Sequence, residues 1–183
     1  MRKLSSVSPD AFCSLEDRSI KVFIPDLEVW DGIVKLLSGT EGGFHCPFKL
    51  HAKRYGDGLI YEGNGINVFA LHNRHLGDSS PFKSYSFRAE IGARSVVYSG
   101  DVRHIEDCEP LLDDCDMLLM ETGHHEVEDV CNWLVKSGKR IGRLIFVHHG
   151  RAILDAPGRE LRKARKILGD KVAIAGDGMV LHL

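Results

Sequence analysis

The residues best suited to chemistry stand directly after apolar segments of the sequence. They are histidines and carboxylates, namely His72 and His75 after "INVFA", Asp101 after "VVYSG", Glu121 and His124-His125 after "DMLLM", and His148-His149 after "RLIFV". Each apolar segment is short enough to be a β-strand. Strands of one sheet, or of two facing sheets, bring their ends together, so we expect a polar cleft at one edge. Imidazole and carboxylate groups there are natural ligands for zinc, iron or manganese.

Each of these residues also has a simpler interpretation when it is taken alone. A histidine near a strand end is commonly a surface residue or a hydrogen-bonded core residue. Ser99-Gly100-Asp101 is a common turn, because aspartate bonds its own backbone there, and Glu121 can neighbour a helix N-cap. Four strand ends with the same two residue types favour the joint interpretation, but their spacing does not identify a metal.

The first half of the sequence predicts mainly strands. "IKVFIP" alternates and stops at Pro25, and Asp26 is a candidate N-cap for a helix over "LEVWDGIVKLLSG". Short strands follow in "KLHAKRY", "GLIYEG" and "INVFALH". "SYSFRAEIG" and "RSVVYSG" then predict a hairpin that turns at residues 91–94.

The second half predicts alternating strands and helices. "DMLLME" and "RLIFVHH" are typical of strands buried on both faces. "IEDCEPLLDDC" and "PGRELRKARKILG" predict helices, and "EVEDVCNWLVKSG" predicts an amphipathic helix. Its inward residues are Val127, Val130, Cys131 and Leu134. "KVAIAGDGMVLHL" predicts a closing hairpin turned by Gly176-Asp177-Gly178.

Composition limits the class of protein. The chain has 183 residues, 43% hydrophobic and 27% charged, which predicts one packed domain over residues 1–183. A net charge of −2 argues against a mainly electrostatic grip on nucleic acid. No apolar run approaches the roughly 20 residues of a membrane span, and no secretory signal opens the sequence. Five cysteines without CxxC spacing predict reduced thiols in a cytoplasmic protein.

Four segments together resemble the metallo-β-lactamase-fold hydrolases, especially the ribonuclease Z and phosphodiesterase branch. They are "INVFALHNRHLGDSSPFKSYSFRAEIGARSVVYSGD", "CDMLLMETGHH", "RLIFVHHG" and "VAIAGDGMVLHL", in the family order. The resemblance implies an α/β fold, an αββα sandwich of which this chain is the C-terminal portion with one sheet incomplete. It also implies hydrolysis of a phosphodiester in a small molecule or a nucleic acid.

The resemblance assigns roles to the metal-binding candidates. Asp101 would bridge two metal ions, His148 would bind the second ion and His75 the first, with His72 as the alternative to His75. The implied cofactor is zinc at two sites, with Mn²⁺ or Fe²⁺ as alternatives.

The same resemblance implies a set of catalytic residues. Asp101 would orient the nucleophile, His124 would give a proton to the leaving group, and Glu121 would fix the orientation of a ligand. Three cations are candidates for contact with an anionic substrate: Lys83, Arg88 and Arg151.

One family feature does not occur in this sequence. The motif His-x-His-x-Asp-His is missing, and "RSIKVFIPDLEVWDGI" resembles the segment that follows it. We therefore expect an N-terminally incomplete member with about two ligands per metal, whereas catalytic zinc normally has three. No spacing supports His45, His51 or His104 as replacements. The alternatives to a hydrolase are a catalytically inactive structural or interaction protein and an iron-dependent redox protein.

An incomplete sheet also predicts self-association. It exposes an apolar face and unpaired strand edges, which favour pairing with a second copy. We expect dimers or larger homo-oligomers in sedimentation experiments, and no membrane partner. A stable, strictly monomeric chain would contradict this expectation.

Overall fold

The computed structural model describes residues 18–40, 43–44 and 48–183. They fall into two compact units that divide between Tyr55 and Gly56, and the assignment of a single domain stays a prediction. In the first unit, strands β1 (Ser19–Ile24) and β2 (Lys49–Arg54) pair in parallel. Helix α1 (Leu27–Ser38) lies between them in the chain. Its predicted N-cap is confirmed, because Asp26 Oδ1 accepts the N–H of Glu28 at 3.0 Å.

The second unit is built on one seven-stranded sheet, with strands in sequence order from β3 to β9. The strands are β3 (Gly58–Gly63), β4 (Ile66–His72), β5 (Tyr85–Ile91), β6 (Arg94–Tyr98), β7 (Cys115–Thr122), β8 (Ile141–His149) and β9 (Val172–Ile174). Neighbours from β3 to β6 are antiparallel, and neighbours from β6 to β9 are parallel. The predicted hairpin is confirmed, since Ile91 pairs with Arg94 across its turn.

These strand directions place five C-terminal ends at one edge of the sheet, those of β4, β6, β7, β8 and β9. Strands β4 and β6 are both antiparallel to β5, so they point the same way, and β7 and β8 are parallel to β6. We call residues 72–77, 99–103, 121–126 and 147–151 the rim. Every predicted metal-binding or catalytic residue lies on it.

Helices pack against this sheet, and most of them contribute side chains to its apolar core. They are the 3-10 helix Ile105–Leu111, α2 (Val127–Ser137), α3 (Arg151–Asp155), α4 (Pro157–Leu168) and the 3-10 turn Gly169–Lys171. The predicted inner face of α2 is confirmed, because its four residues are buried, namely Val127, Val130, Cys131 and Leu134. They pack with Leu118 and Phe146 of the sheet, and burial of one such side chain contributes about 2 kcal/mol. No helix in the described ranges is long and apolar enough to cross a membrane.

The predicted closing hairpin is wrong. Strand β9 pairs in parallel with β8, and the residues after it form only a turn, in which the N–H of Met179 donates to Gly176 O at 3.0 Å. Val180 and Leu183 have no strand to pair with in this unit and stay 74% and 49% exposed. An alternating apolar pattern does not supply a partner strand. Helix α3 was also not predicted.

The cysteines in the described ranges are buried free thiols, as predicted. They are Cys108, Cys115 and Cys131. Burial raises the pKa of Cys108 and of Cys131 to about 12, so these thiols stay protonated and unreactive. Cys13 and Cys46 lie outside the described residues.

Helix α4 carries a buried carboxylate, Glu160, beside the lysine that joins α4 to α2. Glu160 has no exposed surface, and its Oε1 accepts a hydrogen bond from Arg159 Nε at 2.8 Å. Lys163 Nζ lies 3.3 Å from Glu160 Oε2 and 2.9 Å from Glu128 Oε2 on α2. Burial pushes the pKa of Glu160 up, but the hydrogen bond from Arg159 and the charge of the nearby Lys163 outweigh it and hold the pKa below its ordinary value.

A lowered carboxyl pKa makes this contribution to stability depend on pH. The contribution is complete above the unfolded pKa of about 4.3 and is lost as the pH falls through the folded pKa. Glu160→Gln should therefore lower the free energy of unfolding near pH 7, and by a smaller amount near pH 3.5. Urea unfolding at both pH values measures the effect. Asp170→Asn, which removes a fully exposed carboxylate 3.9 Å from Arg165, should change neither value. Equal destabilisation by Glu160→Gln at both pH values would contradict the prediction.

Candidate functional site

The rim brings four of the predicted site residues into one cluster. The rings of His75 and His124 meet edge to face with their centroids 4.7 Å apart, and the rings of His124 and His148 stack at 6.1 Å. His148 Nε2 lies 3.7 Å from Asp101 Oδ1. Four different strands, β4, β6, β7 and β8, lead into these residues.

Glu121 lies beneath this cluster with no exposed surface. Its Oε1 accepts the N–H of Val102 at 3.2 Å and bonds His124 Nδ1 at 2.8 Å, and its Oε2 accepts the N–H of His124 at 3.0 Å. The ring of His125 donates from Nε2 to Val102 O at 3.0 Å. These bonds fix the loop after β7 against the loop after β6.

His148 is held in an unusual backbone conformation. Its φ of +46° is uncommon for a residue other than glycine, and strain of this kind clusters at functional sites. Gly123 makes room for its ring, because a Cβ there would lie 2.7 Å from His148 Cδ2 and 2.9 Å from Nε2. The imidazole therefore occupies space that only glycine leaves open.

The loop that carries His75 is held from inside the sheet. Asn73 is 1% exposed, and its Oδ1 accepts the N–H of His75 at 3.1 Å while its Nδ2 donates to Ser86 Oγ at 3.3 Å. Arg74 Nε donates to Asp107 Oδ1 at 2.6 Å, which ties the loop to the first 3-10 helix. Sequence reasoning missed these supporting residues. The only feature of the sequence that could have indicated them is the presence of polar residues next to or within apolar strands.

His72, the alternative to His75, is engaged elsewhere. Its Nδ1 bonds Asp57 Oδ2 at 2.6 Å, and its ring stacks on Phe82 with centroids 3.8 Å apart. Among the ring contacts of the described residues, none joins His72 to the cluster. The structure brings His75 into contact with His124 instead.

The other candidates for contact with a metal ion or a substrate differ in location, and some of them have structural roles. Arg88 has a structural role, because its Nη1 donates to Leu111 O and to Asp113 O, each at 2.8 Å. His149 donates from Nε2 to Ala175 O at 2.7 Å. Arg151 is exposed and lines a cavity of about 330 Å³ together with His124. His45 lies outside the described residues.

The rim fits a metal ion in its chemistry and in part of its geometry. Two donor atoms that share a tetrahedral zinc ion at about 2.0–2.1 Å are roughly 3.4 Å apart. His148 Nε2 and Asp101 Oδ1 are 3.7 Å apart, near that spacing and too far apart for a hydrogen bond. Over residues 18–40, 43–44 and 48–183, no group of three or more His, Cys, Asp or Glu is arranged to hold an ion. The described chain thus presents a pair of donors and no complete site.

Gly123→Ala tests whether the absence of a side chain at Gly123 allows the His148 ring to occupy its position. The added methyl should displace the His148 ring from Asp101, because its distances to ring atoms would be below 3 Å. We expect the imidazole NMR signals of His148 to shift at fixed pH. Gly176→Ala is the control, since a Cβ there meets nothing within 4 Å and should leave these signals unchanged. Unshifted His148 signals in Gly123→Ala would contradict the steric role.

Comparison with known proteins identifies the fold. No protein-family model and no curated protein matches the sequence. The metallo-beta-lactamase fold protein YhfI from Bacillus subtilis aligns with a TM-score of 0.67 at 17% identity, over 94% of this chain and 69% of that one. The short form of human tRNase Z aligns at 0.56 and 16% identity, over 95% and 72%. Zn²⁺-bound PqqB from Methylobacterium extorquens aligns at 0.56 and 14% identity, over 94% and 68%. As the resemblance implied, the chain has the α/β metallo-β-lactamase fold.

Proposed function

We propose that the chain is a metal-dependent hydrolase of phosphodiester bonds, in a small molecule or a nucleic acid, with the rim as its active site. The observation that carries this proposal is the Asp101–His148 pair, whose donor atoms are 3.7 Å apart beside the rings of His75 and His124. Solved structures of the same fold support it. They include tRNase Z and Tm1679, a metal-dependent hydrolase, the latter with a TM-score of 0.55 and 13% identity.

His148 and Asp101 would hold the metal ion, and His75 is the further candidate ligand. Neutral imidazole and carboxylate donors suit zinc, with Mn²⁺ or Fe²⁺ as alternatives. When bound, the ion supplies Lewis-acid activation of water and of the phosphoryl group.

His124 is the candidate proton-transfer residue. Glu121 occupies its Nδ1 at 2.8 Å, so Nε2 is the nitrogen left for exchange with a substrate. The side chain of His124 is 43% exposed, whereas that of Glu121 is fully buried. His124 therefore contacts the solvent side of the rim, and Glu121 acts as its positioning residue.

The cavity beside His124 offers space for part of a substrate. Its volume is about 330 Å³, and its lining includes His125, Asp129, Arg151 and the backbone of Gly150. The guanidinium of Arg151 is the cation in this lining that suits a phosphate oxygen. The cavity thus extends the rim toward the start of α3.

A catalytically inactive member of the fold is the second candidate. The absence of three converging ligands from the described residues favours it, as does the absence of the His-x-His-x-Asp-His motif from the sequence. Such a protein would act as a structural or interaction protein, in keeping with the predicted self-association.

Metal titration with a phosphodiester assay separates the two candidates. We expect Zn²⁺ or Mn²⁺ to bind the chain and to support hydrolysis of bis(4-nitrophenyl) phosphate. Asp101→Asn and His148→Ala should weaken metal binding by more than the roughly 10–100-fold that loss of a supporting residue costs. His51→Ala, on the exposed face of β2, is the control and should bind metal normally. Failure to bind either ion would favour the inactive member, and iron bound in a purified chain that does not hydrolyse the phosphodiester would favour a redox role.

A further inference from the structure

A line of buried polar side chains crosses the sheet beneath the rim. Its members are at most 1% exposed, and they are Asn73, Ser86, Ser99 and Glu121. Asn73 Nδ2 donates to Ser86 Oγ at 3.3 Å, and Ser86 Oγ donates to Ser99 O at 2.5 Å. Ser99 Oγ then accepts the N–H of Glu121 at 3.0 Å. Two of these three links use backbone atoms, Ser99 O and the N–H of Glu121, so side chains and backbone together join the loop after β4 to the end of β7.

Each end of this line holds one rim histidine. Asn73 Oδ1 accepts the N–H of His75, and Glu121 accepts from both the backbone and the ring of His124. Asp101 lies between two anchored residues, because Ser99 belongs to the line and the N–H of Val102 donates to Glu121. These hydrogen bonds therefore hold the backbone segments that carry His75, Asp101 and His124.

Ser86 connects the loop after β4 with the loop after β6. It lies on β5, which runs against its two neighbours. Its hydroxyl accepts from one neighbouring loop and donates to the other. A buried polar group left without a partner is destabilising, so these hydrogen bonds favour one arrangement of the two loops over displaced ones.

We propose that Asn73 and Ser86 are positioning residues, and that the Ser86 hydroxyl sets the separation between the loop of His75 and the loop of Asp101. The inference rests on the proposed function where it concerns metal affinity. Its structural content, the placement of His75 and Asp101, is independent of metal.

Ser95 provides a matched control for Ser86. It is also a buried serine of the sheet, 4% exposed, at the other end of β6. Its Oγ donates to Asp114 O at 3.1 Å and accepts the N–H of Asp116 at 3.3 Å. Ser86→Ala and Ser95→Ala therefore each remove one buried hydroxyl from neighbouring strands, the first near the rim and the second at the opposite edge of the sheet.

The experiment compares the two alanine variants by thermal unfolding, by NMR of the imidazoles at fixed pH and by Zn²⁺ titration. Both should lose melting temperature to a similar extent. Ser86→Ala alone should shift the signals of His75 and His124 and weaken Zn²⁺ binding by about tenfold or more. Unchanged histidine signals in Ser86→Ala, or equal shifts in Ser95→Ala, would overturn the inference.

Asn73→Asp keeps the test decisive if Ser86→Ala does not fold. The change is nearly isosteric and keeps the acceptor for His75, but it replaces the amide donor to Ser86 with an acceptor. We expect the Ser86 hydroxyl to turn toward the new carboxylate and the amide signals of Gly100 and Asp101 to shift. No shift there would overturn the inference. If the native chain binds no Zn²⁺, the proposed function fails, while the metal-free NMR signals still decide the role of the line.

Discussion

The burial of one carboxylate organises the rim. Glu121 is fully enclosed, and a carboxylate removed from water is costly unless donors surround it. Val102 and His124 supply these donors from two different loops, through two backbone N–H groups and one ring nitrogen. The loops cannot separate without leaving the charge unpaired. The positions of Asp101 and His124 therefore follow from the requirements of a residue that faces neither solvent nor substrate.

The sheet supplies the second constraint through its strand directions and its turns. Parallel pairing from β6 to β9 sends successive strands to the same edge, so side chains distant in sequence become neighbours. The turn into Asp101 needs Gly100, whose φ is +61° and whose added Cβ would lie 2.5 Å from Tyr85 O. Close approach of this turn to β5 brings the β6 loop above the buried line. Strand order, the glycine and the buried hydroxyls thus act on the same loop.

The sequence indicates the residue types at the rim but not their supports. Strands β7 and β8 contain apolar runs, residues 117–120 and 144–147, that are followed directly by Glu121 and His148. The boundary between core and site is therefore visible in the sequence itself. Ser86 could not be recognised in this way, because one serine in "SYSF" looks the same whether its strand face is wet or buried. Only the pairing of Ser86 with Leu71, and its bond to Ser99, shows that it points inward. The hairpin predicted after β9 was wrong for a different reason. Its apolar residues alternate as in a strand, but the segment pairs with no neighbouring strand of this unit.

The backbone conformation of His148 and its distance from Asp101 agree with the proposed function. The left-handed backbone of His148 costs on the order of 1–3 kcal/mol, and no hydrogen bond to Asp101 offsets this cost at 3.7 Å. If stability alone were selected, we would expect His148 to adopt an ordinary backbone conformation or to form a hydrogen bond with Asp101. The proposed function accounts for this arrangement, because an imidazole seated against Gly123 and a carboxylate 3.7 Å from it have nearly the spacing of two donors that share one cation. Since the hydrogen-bonded line already orders the loops, a cation bound as proposed would meet donors that need little further ordering.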